Sequence, residues 1–156
     1  MVKNLDVCEY KKIQLIAKNV LDEIKSFIKP EISEREIVEQ CKLILKKNGI
    51  AETLYYDCPA LVLLGSRSCL SISGKDYEPS EEKGGKENLV TIDLSPLKDG
   101  VWGDCSRSFI VEDGIVKSET DIKNFEFLEG LRIERELHNH FIEFVKTGMS
   151  FEDVFI

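Results

Sequence analysis

The sequence predicts an α/β chain of the α+β type: two helices first, an antiparallel run of strands next, and a third long helix last. Three observations carry that prediction. Ile13, Ile16, Ala17, Val20, Leu21, Ile24, Phe27 and Ile28 recur at three- and four-residue steps, which draws one apolar stripe along a helix. Ser33 and Glu36, in "SERE", form a capping box that opens a second helix; it carries Ile37, Cys41, Ile44 and Leu45 inward and stops at Asn48-Gly49. "NLVTIDL" (88–94) and "VWGDCSRSFIV" (101–111) read as apolar-patterned strands, and the short "SPLKDG" between them makes a hairpin.

The other elements follow in order. Pro30 is expected to end the first helix. "ALVLLG" (60–65) reads as a buried strand and "SCLSIS" (68–73) as a weaker one, followed by the polar loop "SGKDYEPSEEKGGKEN". Glu112-Asp113-Gly114 is a turn. A third helix is expected from about Phe125 to Lys146, with Leu128, Leu131, His138, Phe141, Ile142 and Val145 on one face. "FIKPEISEREIV" from Phe27 and "FVKTGMSFEDVF" from Phe144 share Phe, Lys and Ser at matching places, and Ser150 with Asp153 repeats Ser33 with Glu36. This reads as an internal repeat begun again at about residue 125. The expectation is a single domain over 1–156 whose second copy is cut short; one helical turn is not stable alone, so either the chain is a fragment or its last residues dock on something else.

A chain of 156 residues is long enough to bury a core. The net charge of −8, with lysines scattered among glutamates, argues against a nucleic-acid partner. No apolar run approaches a membrane span and the N-terminus has no apolar signal region, so no membrane and no secretory route are expected. Five cysteines without a C-x-x-C pair read as reduced thiols of a cytoplasmic protein. Cys105, next to Asp104, should face the other side of its strand.

Two acids in the hairpin carry the chemistry. With the turn centred between Lys98 and Asp99, Pro96 faces Val101, Leu94 faces Gly103 and Asp93 faces Asp104. Residues opposed in this way have Cβ atoms roughly 5 Å apart. Two ionised carboxylates there repel, and burial adds to the cost. Two divalent cations roughly 3.5–4 Å apart relieve it. Oxygen ligands of this kind, joined by a histidine, suit manganese, cobalt, zinc or iron(II). Acids at strand ends near a turn are common, so the spacing also fits two ordinary strand-end acids in an unrelated α/β domain that binds no metal.

"TIDLSPLKDGVWGDCSRSF" resembles the metal-binding hairpin of the pita-bread metallopeptidases, the family of methionine aminopeptidase, aminopeptidase P, prolidase and creatinase. Ile92-Asp93, Gly100, Trp102 and Asp104-Cys105-Ser106-Arg107-Ser108-Phe109 carry the resemblance, with an eleven-residue step between the aspartates. "KPEISE" and "CPALVLLGSRSCLSIS" extend it upstream, so that it runs from about Tyr10 to the end. The resemblance implies a curved antiparallel sheet with helices packed on one face, one half of a pseudo-symmetric pita-bread fold. It implies two divalent metal ions, with Asp93 a bidentate ligand of one, Asp104 bridging both, and Arg107 bracing the strand and its charges. It further implies a metal-dependent aminopeptidase or Xaa-Pro peptidase that hydrolyses N-terminal peptide bonds of peptide substrates.

Two departures shape the expectation. The family completes its site with a histidine and two glutamates from a second half, on strands this sequence lacks, so this chain alone is expected to bind metal weakly and to be inactive. His138 and His140, two apart on a helix, diverge and do not substitute; they are expected at the core edge and on the surface. The family's peptidases also carry a histidine before the first aspartate, and "SISGKDYEPSEEKGG" has none. Lys75, Asp76 and Tyr77 are the candidates to replace it, with Tyr77 taken as substrate-binding. The alternative is a relative that has lost metal and binds peptides or proteins; the presence of both aspartates counts against it. A half-domain leaves a sheet edge and the third helix's stripe uncovered, so a homo-oligomer is expected.

Overall fold

The computed structural model describes residues 7–154. Phe155, which closes the second copy of the matched stretch, and Ile156 lie outside the described residues. The chain divides into two units, Met1–Ser118 and Glu119–Ile156.

In the first unit, helix α1 (Val7–Ile24) buries Ile13, Ala17, Val20, Leu21 and Ile24, the stripe read from the sequence. It stops six residues short of Pro30. The Phe27 N–H closes a turn on the Ile24 carbonyl at 2.9 Å, and the chain leaves the helix there. Pro30 serves a different contact. A Cβ on Gly114 would lie 2.6 Å from the Pro30 Cγ, so the proline packs directly on a turn that only glycine leaves open.

Helix α2 (Glu34–Lys47) has Ser33 as its N-cap, with both halves of the capping box formed. Lys83, and then the Ser33 N–H and hydroxyl, hold the Glu36 carboxyl down to about 2. A depressed carboxyl contributes stability that is full above its unfolded value and lost as pH falls through the folded one. The Glu36 contribution is therefore lost between about 4.5 and about 2. Ser33→Ala is expected to cost about 1 kcal/mol at neutral pH, and to shrink this acid-side loss; urea melts at neutral pH and in this acid range check it.

All strand pairs are antiparallel. Strands β1 (Glu52–Thr53), β4 (Pro96–Lys98) and β5 (Val101–Trp102) form one sheet in the order β1-β4-β5. Strands β2 (Leu61–Leu64), β3 (Asn88–Leu94), β6 (Cys105–Glu112) and β7 (Ile115–Val116) form the other, in that order. Helices α1 and α2 cover one face, where Val62, Val90, Ile92, Leu94, Cys105, Phe109 and Val111 complete the core. Cys41 sits in it, its thiol pushed up to about 12 by burial. Residues 65–69 form a 3-10 turn and 70–73 are irregular, so "SCLSIS" is not the strand expected. The hydroxyl of Ser68 bonds back to the Leu63 carbonyl and holds that turn.

In the second unit, helix α3 (Phe125–Phe144) is capped by Asn124, and α4 (Phe151–Val154) follows. Ser150 and Asp153 form the same reciprocal pair of bonds as Ser33 and Glu36, so the repeated sequence has a repeated local structure. No residue of α3 is buried: Leu137, Phe141 and Ile142 are 64%, 56% and 71% exposed. His138 is accordingly exposed rather than at a core edge, because among the described residues of this unit there is no second layer of structure to pack on the helix. His140 is exposed, as expected.

Candidate metal centre

The two aspartates meet, in a different register from the one expected. Leu97 pairs with Trp102 and Lys98 with Val101, so the turn is the two-residue Asp99-Gly100. Both have positive φ, 53° and 78°, the signature of a type I′ hairpin turn. Asp93 consequently lies opposite Ser106, and Leu94 opposite Cys105. Moving the turn centre by one residue shifts each partner by two, and side chains alternate with a period of two. Asp104 therefore stays on the face of Asp93, as its diagonal rather than its direct neighbour. Cys105 is buried on the opposite, helix-packed face.

Asp93 and Asp104 line one cavity of about 420 Å³, with Tyr55, Tyr56, Cys58, Leu61, Ile72 and Ser95 among its walls. Burial raises the Asp93 carboxyl above its ordinary value, and the charge of Asp104 raises it further. The Cys58 thiol is raised by burial first and then by Asp93. Tyr56, in the cavity wall, and Asp57, next to it in the chain, both have left-handed φ, 50° and 55°. That conformation is costly for side-chain-bearing residues and recurs at functional sites. Among the described residues, no group of three or more His, Cys, Asp or Glu side chains is close enough together to hold a metal ion. The donor set fits a hard divalent cation as far as it goes: two neighbouring carboxylates, one of them raised first by burial and then by the charge of the other.

Two supports were not legible in advance. The first holds Asp104. The Gln14 side chain accepts from the Asp104 N–H at 2.9 Å and donates to the Asp104 carbonyl at 2.6 Å. The second holds the sheet beside the cavity. Glu34 is fully buried, and accepts from the Leu64 N–H (3.0 Å), the Ser80 N–H (2.8 Å) and the Arg67 guanidinium (2.8 Å).

The remaining candidates fall elsewhere. The Tyr77 hydroxyl donates to the Val62 carbonyl at 2.8 Å and accepts from the Val62 N–H at 3.1 Å. It thus caps the outer edge of β2, and burial raises its phenol. With both bonding directions spent on backbone, that hydroxyl is not available to a substrate. Tyr77→Phe is expected to cost about 1–2 kcal/mol in a urea melt, since two edge groups lose their partner, and to leave manganese binding unchanged. Lys75 and Asp76 are exposed and outside the cavity walls. Arg107 lies on the helix side, opposite Ile92, in a cleft of about 150 Å³ with Lys18 and Asp22 of α1 and Lys25 just past its end. Its guanidinium donates to the Ser106 carbonyl and faces away from the aspartate pair.

The family model of metallopeptidase family M24 matches residues 9–156. The chain belongs to this family. A methionine aminopeptidase from Buchnera aphidicola subsp. Acyrthosiphon pisum is 32% identical over 112 residues, which covers 66% of this chain and 40% of that protein. Among solved structures, the Xaa-Pro dipeptidase from Bacillus anthracis superposes with a TM-score of 0.77 at 21% identity, over 97% of this chain and 38% of that one. The prolidase from Pyrococcus furiosus gives 0.76 at 21% identity, over 97% and 40%. These structural likenesses are likenesses of fold: the antiparallel sheets and helices of this M24 chain are those of the pita-bread prolidases. The chain spans about two-fifths of the length of each of these relatives.

Proposed function

We propose that this M24 chain supplies the metal-holding hairpin of a metal-dependent aminopeptidase or Xaa-Pro peptidase acting on N-terminal peptide bonds. The observation that carries the reading is the pair of carboxylates, Asp93 and Asp104, on one face of one hairpin and in the wall of one substrate-sized cavity. Family membership supports it, and so do the names of the relatives. Divalent ions bound there supply Lewis acidity toward a peptide carbonyl and lower the pKa of water.

The chain's own residues do the rest of what can be derived. Asp93 and Asp104 hold the cations, with further ligands that the described residues do not bring to this cavity. Tyr55, Tyr56, Leu61 and Ile72 give the cavity an apolar wall beside the charged pair, which shelters bound peptide from water. Gln14 fixes the main chain of Asp104. Among the described residues no cysteine takes part in a disulfide. Calorimetric titration of manganese and cobalt into the chain tests the reading, with Asp104→Asn alongside. Weak binding that the substitution removes is the expected result. Binding that Asp104→Asn leaves unchanged contradicts the proposal.

A further inference from the structure

We propose that Gln14 of α1 is a positioning residue for the Asp104 carboxylate, acting through the Asp104 main chain. The inference rests on reading Asp93 and Asp104 as the metal-holding pair.

The hairpin changes sheets at Gly103 and Asp104. Strand β5 ends at Trp102 and β6 begins at Cys105, so Asp104 lies in a break of the ladder. Gly103 keeps a strand-like bond, from its N–H to the Pro96 carbonyl at 2.9 Å. Asp104 does not continue it; its N–H and carbonyl turn to Gln14 instead. A carboxamide offers one acceptor and one donor side by side, which is what a neighbouring strand would offer. Gln14 thus replaces the missing strand partner at Asp104, within the break of the ladder.

Two further contacts make the clamp rigid. A Cβ on Gly103 would lie 3.1 Å from the Ile13 carbonyl carbon and 3.2 Å from the Gln14 nitrogen, so the α1 main chain rests directly on the bend. Tyr10, one turn before Gln14 on the same helix face, meets Trp102 edge-on at 6.1 Å. Residues 102–104 are therefore held from one side by Tyr10, Ile13 and Gln14. The helix itself is anchored in the core by Ala17, Val20 and Leu21. A ligand is useful only when held to about half an ångström. Here the rigid element is α1, and Gln14 is the side chain that ties Asp104 to it.

The test uses the full chain, manganese as the probe, and Gln14→Met, which keeps length and helix propensity but removes both bonds. Amide exchange at Asp104 reads the clamp, and calorimetry reads manganese affinity. Ile37→Val on α2 serves as a destabilised control remote from the cavity. In Gln14→Met, the Asp104 amide is expected to exchange at least roughly tenfold faster, and manganese to bind roughly tenfold more weakly. The control should change neither at matched loss of melting temperature. If Gln14→Met leaves manganese affinity intact while Asp104→Asn abolishes binding, the positioning role is wrong and the metal reading stands. If Asp104→Asn itself leaves binding intact, the metal reading fails and takes this inference with it.

Discussion

Glu34→Leu is expected to destabilise the first unit by about 3–5 kcal/mol, the cost of breaking a buried pair by removing one partner. The carboxylate is fully buried, and each of its bonds goes to a different part of the fold: Leu64 in β2, Arg67 in the turn after it, and Ser80 in the long loop. Leucine fills the space and leaves two backbone N–H groups and a guanidinium without their acceptor. Arg67 keeps a third of its side chain in solvent and can turn to water, so the two amides dominate the loss. Glu34→Gln retains the shape and one acceptor, and should lose clearly less. Urea unfolding of the three proteins checks this order. A loss below about 1 kcal/mol for Glu34→Leu would show that water reaches those amides.

The second large effect is a change of sign. Without metal, Asp93→Asn is expected to raise the melting temperature, because it removes a carboxylate that burial and Asp104 both disfavour in the charged form. The linkage runs the same way. The folded Asp93 carboxyl lies above its unfolded value, so the native protein pays for this charge at neutral pH and is relieved as pH falls through the raised value. With manganese present the order should invert. The unsubstituted chain gains about 1.4 kcal/mol at ten times the dissociation constant, and Asp93→Asn gains little. Thermal melts with and without manganese make the comparison. Parallel shifts in both proteins would mean that the ions bind elsewhere on this acidic surface.

The sequence showed some parts of the fold directly and could not show others. The stripe of α1, the capping box of α2 and the strand β3 were readable because each is local: a period or a short motif specifies it. The hairpin register differs from the expected one because the turn is the two-residue Asp99-Gly100, centred one residue later than the centre expected between Lys98 and Asp99. The pair of aspartates survived the error because the slip was even. Gln14 and Glu34 had no local signal. Gln14 acts on a residue ninety positions away, and the partners of Glu34 lie thirty or more positions on. Tyr77 stands in the loop where the resemblance puts a substrate-binding histidine, yet that loop folds back and spends the Tyr77 hydroxyl on β2. The Ser150–Asp153 cap was legible from the repeat alone.

The central claim is that Asp93 and Asp104 together form a cation-binding pair, and paramagnetic relaxation by manganese tests it most directly. The chain carries 29 acidic residues, so weak binding alone decides nothing; the location of the ion does. Amide broadening mapped along the chain at millimolar manganese should centre on residues 93 and 104 and their neighbours in the cavity wall, and should vanish in Asp104→Asn. Broadening spread over the exposed glutamates, with residues 93 and 104 no more affected than the rest, would contradict the account.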